Sequence, residues 1–225
     1  MTEKRIEPVE GIVAAAAPGL VLSITGSATA KTRPGFALPH IRAAEHFAGL
    51  LRAHEAAHEG APFGPPFDMA RWYASAAILL SFSAIEAGCD EAEDSLSIPD
   101  ALHRTLQRAP FWERVAAVLA FRGVEQIDRG AEPFQSTDLL RDLRNGLAHP
   151  KAEWGDEDAP DWRRTHKRLC KRVLSAGLPL SPFLQDPATA FPYGCMSAGV
   201  AEWAAGTARA FVGELRERLG LSRIT

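Results

Sequence analysis

The chain is short of cysteine, of excess positive charge and of β-branched residues. Only Cys89, Cys170 and Cys195 occur among its 225 residues. They are odd in number, far apart and not at metal-ligand spacing. That excludes a disulfide scaffold and a cysteine-based zinc site, and reads as reduced thiols in a cytoplasmic protein. With 25 Lys and Arg against 28 Asp and Glu, the net charge is −3 and the pI is near 6.2. Whole-chain attraction to nucleic acid is absent, so any RNA contact has to come from a local patch. The sparse β-branched residues and the abundant Ala, Leu, Glu and Arg predict an all-α fold. No solenoid-type repeat or low-complexity tract interrupts it, and the length allows one domain with extensions.

Two segments follow: an arm over residues 1–34 and a helical domain over 35–225. In the arm, Ile12 to Ala17 and Leu20 to Thr25 are short apolar runs split by Pro18-Gly19, as in an extended arm or hairpin. Ala28-Thr29-Ala30 has the form of a signal-peptidase site. However, Glu3, Glu7 and Glu10 spoil a positive n-region, and the apolar stretch is too short and broken to span a membrane.

Leu38 to Glu59 reads as a helix with Ile41, Ala44, Phe47, Leu50 and Leu51 on its apolar side. Its end, His54-Glu55-Ala56-Ala57-His58, has the H-E-x-x-H form, which on a helix points two imidazoles the same way for zinc, with Glu55 as a base. Glu86 and Asp90 mimic a third-ligand segment. The charged flanks Arg52 and Glu59 and the stop at Gly60-Ala61-Pro62 make this spacing accidental, so no metal or other cofactor is expected.

Asp68 to about Asp94 is a long helix, apolar on nearly every side from Ala76 to Ala87, which predicts a central, buried position. Glu86 has two readings: paired with Arg144, or pointing to solvent. Helices follow from Pro99 to about Arg108 and from Pro110 to about Ile127, and a turn lies at Gly130 to Pro133. Ser136 or Thr137 is placed to cap the next helix. Beyond an acidic loop (Glu153, Asp156, Glu157, Asp158), Arg163, Lys167 and Lys171 form one i, i+4 row and Arg164, Arg168 and Arg172 the adjacent one. This basic helix is either a phosphate-tracking patch for single-stranded RNA or a solvated surface. After a proline-rich connector, a helix from about Cys195 to Leu219 carries Gly199, Gly206 and Gly213 seven apart beside an apolar face, suiting close helix approach or a dimer interface.

The densest chemistry lies in Leu139-Leu140-Arg141-Asp142-Leu143-Arg144-Asn145-Gly146-Leu147-Ala148-His149-Pro150. The leucines recur at helical spacing. Asp142, Asn145 and His149 share the opposite face, and Arg144 lies about 140° from His149 on an ideal helix. Pro150 pushes its predecessor out of the α region, so His149 falls in the last turn, where the helix dipole favours its charged form.

Arg144-Asn145-x-x-x-His149 resembles the R-x4-6-H motif of the HEPN superfamily, over residues 68–174. The resemblance implies an all-α, HEPN-like bundle working as a homodimer. It also implies metal-independent endoribonuclease activity on single-stranded RNA, by 2′-hydroxyl attack, in a toxin–antitoxin or defence setting. Arg144 would clamp the phosphate and His149 would move protons, with Asn145 orienting the histidine or substrate and Glu86 and Asp142 as supporting partners. Some HEPN toxins carry a Tyr two residues after the His, modified by a partner enzyme; Lys151 stands there, so a protein antitoxin would have to bind directly. The alternatives are a non-catalytic, dimerising RNA- or nucleotide-binding module of the same kind and a zinc peptidase at His54 and His58. No membrane partner is expected.

Overall fold

A computed structural model describes residues 35–96, 98–148, 169, 171–187 and 192–221. All of these lie in one unit, Gly35–Thr225. The expected arm over residues 1–34 lies outside the described residues. The described residues are helical, with no strand among them: α1 (Ala37–Ala57), α2 (Pro65–Ser95), α3 (Asp100–Leu106), α4 (Phe111–Arg122), α5 (Phe134–Ala148) and α6 (Ala198–Arg218), the last preceded by a 3-10 turn, Tyr193–Cys195. The all-α expectation holds.

Sequence punctuation sets most boundaries. Pro65 and Pro66 open α2, where a missing N–H costs nothing. Pro110 precedes α4, which ends at Gly123, a left-handed residue with φ +74° whose N–H returns to the Ala120 carbonyl. That stop comes before the expected Ile127. The apolar pattern runs on because Val124 and Ile127 still pack on the core after the helix has ended.

Helix α2 is the centre of the bundle. Ala70, Ala74 and Ala77 pack with Ala48 and Leu51 of α1, while Ile78, Phe82 and Ile85 join Leu119 of α4, Leu140 and Leu143 of α5, and Phe211 of α6. Alanine at these crossings lets the backbones approach. At Gly88 the approach of α6 is close, since a Cβ there would meet Val212 at 3.0 Å. Burial is not complete all round: Leu79 and Leu80 remain half-buried. By length and composition α2 could cross a membrane, alone among the described helices, yet half of its most apolar window is buried within the protein.

Within the chain, the three glycines of the α6 repeat are not alike. A Cβ at Gly199 would meet Pro179 Cγ at 2.0 Å, whereas Cβ atoms at Gly206 or Gly213 would meet nothing. Only the first is made necessary by a neighbour in the chain.

Two helices are capped from elsewhere. Glu91 of α2 accepts the Ala37 N–H at the start of α1 (2.9 Å) and holds Arg216 of α6 (3.0 Å). Glu55 of α1 accepts the Ala198 N–H at the start of α6 (2.8 Å).

Candidate active site at the end of helix α5

The leucines of α5 behave as their spacing requires: Leu139, Leu140 and Leu143 are buried and Leu147 is half-buried between two core clusters. The helix starts earlier than expected. Ser136 and Thr137 lie inside it, and the Glu132 carboxylate accepts the Ser136 N–H at 3.3 Å. Thr137 is buried, so it is no cap.

Near the other end of the helix, Arg144 Nη2 lies 3.3 Å from both carboxylate oxygens of Glu86 on α2. Arg144 Nη1 donates to Asn145 Oδ1 at 2.9 Å. The guanidinium rests over the Phe82 ring, 5.1 Å from its centroid. Side-chain exposures of 27% for Arg144 and 43% for Glu86 leave this pair partly in water, where such a bond is worth about 0–1 kcal/mol. Its value is therefore positional. Between the two readings of Glu86, the structure has it paired with Arg144 while still half-exposed. Asn145 serves the arginine.

Asp142 points elsewhere. It lies about 200° from Arg144 around an ideal helix, and its carboxylate takes Arg172 Nη1 at 2.6 Å and Arg141 Nη2 at 3.0 Å. Asp138, one turn earlier, takes Arg172 Nη2 at 3.1 Å, Arg141 Nη2 at 2.8 Å and the Trp112 indole N–H at 3.0 Å. Asp142 thus reaches Arg141 and Arg172 and not Arg144; an Asp142 contact with His149 would lie outside the described residues. Asp138 and Asp142 hold Arg172, which ties the chain around residue 172 to α5. Lys171 is exposed and lines a cleft of about 370 Å³ with Gln135, Ser136 and Ser175. His149 and the rest of the expected patch, Arg163, Arg164, Lys167 and Arg168, lie outside the described residues; α5 is described to Ala148, one residue short of His149.

The H-E-x-x-H spacing does bring the two imidazoles together, with ring centroids 4.3 Å apart. One nitrogen of each ring bonds a backbone carbonyl: His54 Nε2 that of Pro66 (2.8 Å) and His58 Nδ1 that of His54 (2.9 Å). Glu55 caps α6, and Asp90 pairs with Arg114. Among the described residues no group of three or more His, Cys, Asp or Glu is arranged to hold a metal ion.

A second ionic cluster was not visible in the spacing. Glu93 of α2 is fully buried; it pairs with Arg114 of α4 and lies 3.0 Å from His103 Nδ1 of α3. Burial works to lower the Arg114 pKa, but hydrogen bonds to Glu93 and Asp90 outweigh it and hold the guanidinium above its ordinary value. The one signal that could have suggested it is the i, i+3 spacing of Asp90 and Glu93, in an acidic stretch that follows the apolar middle of α2. Phe82, likewise, reads in sequence only as core.

No protein-family model, curated protein or solved structure matches the chain. The assignment of the site therefore rests on its residues and their geometry.

Proposed function

We propose that the chain is a HEPN-type, metal-independent endoribonuclease of single-stranded RNA. It would act as a homodimer in the cytoplasm, in a toxin–antitoxin or defence setting. The observation that carries this reading is the Arg144 guanidinium, anchored by Glu86 from a second helix near the end of α5, five residues before His149.

In this mechanism Arg144 holds two phosphate oxygens and offsets the charge that builds up on them. One His149 takes the 2′-hydroxyl proton as the 2′-oxygen bonds to phosphorus. The bond to the 5′-oxygen breaks, and that oxygen takes a proton from the partner subunit's His149. The products are a 2′,3′-cyclic phosphate and a 5′-hydroxyl. Two protomers supply the base and the acid that one motif lacks.

One observation favours the non-catalytic module instead. Arg144 is engaged by Glu86, Asn145 and Phe82, an arrangement that would also suit an arginine with a purely architectural role. A labelled mixed-sequence RNA in EDTA separates the two. The ribonuclease reading expects cleavage by the unmodified protein and none by Arg144→Ala or His149→Ala, each with unchanged helix content. Undiminished cleavage by His149→Ala would sink it, and binding without cleavage would favour the module.

A further inference from the structure

Arg144 is held at its edge in a way that does not fix its plane. A bidentate carboxylate grips two different nitrogens of a guanidinium and sets its orientation. Here both Glu86 oxygens sit 3.3 Å from the same nitrogen, Nη2. Such a contact acts as a pivot. Asn145, the neighbour in sequence, moves with the same helix end and adds a tether at Nη1 (2.9 Å). What remains to define the plane is the surface beneath it, the ring of Phe82.

That ring is well fixed. Phe82 is 2% exposed. Its centroid lies 5.5 Å from that of Phe111 on α4, and Phe111 lies 5.9 Å from Phe211 on α6. Three helices therefore set the attitude of the face on which Arg144 rests. The negative face of an aromatic ring attracts a cation and favours a guanidinium lying over it. A leucine at position 82 would fill much of the same space and supply none of that attraction.

We propose that Phe82 is a positioning residue for Arg144: its ring turns an otherwise pivoting guanidinium into an oriented clamp for an RNA phosphate. The proposal rests on Arg144 being the phosphate-binding group of the reading above. It adds that the clamp is set by a residue 62 positions earlier in sequence, and that the ring's electrons matter as well as its bulk.

The test replaces Phe82 with mono-, tri- and pentafluorophenylalanine, which nearly keep the shape while draining the ring face, and with leucine. The readouts are affinity for a 2′-O-methyl oligonucleotide, which lacks the attacking hydroxyl, thermal midpoint, and cleavage of the matching RNA in EDTA. Affinity should fall stepwise with fluorine number, reaching roughly a 2- to 30-fold loss, at a steady midpoint, and leucine should match the most fluorinated protein. Cleavage should fall in step. Affinity that stays constant across the fluorine series, or that drops only as the midpoint drops, would overturn the proposal and leave Phe82 as packing alone. Graded binding by a protein that never cleaves would uphold the Phe82 role and overturn only the catalytic reading. Absence of oligonucleotide binding by the unmodified protein would overturn both.

Discussion

The Glu55 carboxylate accepts the Ala198 N–H across 143 positions of sequence, at 2.8 Å. It thereby supplies the first turn of α6 with an acceptor from α1. Burial raises its pKa above the ordinary 4.5, and the Ala198 N–H and Arg52 pull only partly the other way. A raised folded-state pKa means that the native state binds the proton more tightly than the unfolded chain. The associated stability is fully present below the unfolded pKa and is lost as pH rises through the folded one. Glu55→Gln keeps an acceptor oxygen and removes the charge. It should erase this decline just above pH 4.5 and be at least as stable as the unmodified protein at pH 7. Glu55→Ala should lose about 1 kcal/mol, as a lost cap does. Urea titrations across pH check both, and an equal loss in the two variants at pH 7 would refute the account.

The Glu93 pocket makes a sharper demand. Replacing Arg114 with Met leaves the fully buried Glu93 and the nearby Asp90 without their shared cation. Removing one partner of a buried pair costs about 3–5 kcal/mol. Glu93→Gln in the same protein should recover part of that loss, because the orphaned charge is gone. Chemical denaturation of the single and double variants measures it, and a loss below about 1 kcal/mol in Arg114→Met would contradict the burial.

The three glycines of α6 should not behave alike. Gly206→Ala adds a methyl group to open space and should stabilise by about 0.5–1 kcal/mol, and Gly213→Ala should do the same. Gly199→Ala pushes a methyl into the ring of Pro179 and should destabilise. Thermal midpoints of the three variants decide it; a uniform response would mean that the repeat acts as a unit.

Cys89 is buried, and burial pushes its thiol up to about 12. Only the thiolate is an effective nucleophile. Iodoacetamide should leave Cys89 unmodified in the folded protein at pH 8 and label it at once in denaturant, as peptide mass mapping would show. Labelling in the native state would mean that the α2 face opens readily.

Much of the helical framework was readable because its rule is local. Leu139, Leu140 and Leu143 repeat at helical spacing, and all three are buried. Prolines mark helix starts by their own backbone chemistry, whereas the stop at Gly123 is hidden by an apolar pattern that runs on to Ile127. The failures have a common form. The basic rows name residues sharing a helix face, yet nothing in their spacing says that Asp138 and Asp142 sit opposite Arg172. The H-E-x-x-H spacing brings His54 and His58 together, but does not show that one nitrogen of each would bond a backbone carbonyl. For Glu86 the sequence leaves pairing with Arg144 and exposure to solvent both open, and the structure has it paired while still half-exposed. The face of a core aromatic carries no mark in sequence, so Phe82 reads there only as core.

The caps reaching α1 and α6 from other helices bear on how the molecule opens. Amides in the first turn of a helix ordinarily exchange with solvent through local fraying. The Ala37 and Ala198 amides are held by Glu91 and Glu55, on helices distant in sequence. Their hydrogen exchange requires neighbouring helices to part, so their protection should approach that of α2 itself. Two amides at helix ends would then report the cooperative unfolding of the bundle.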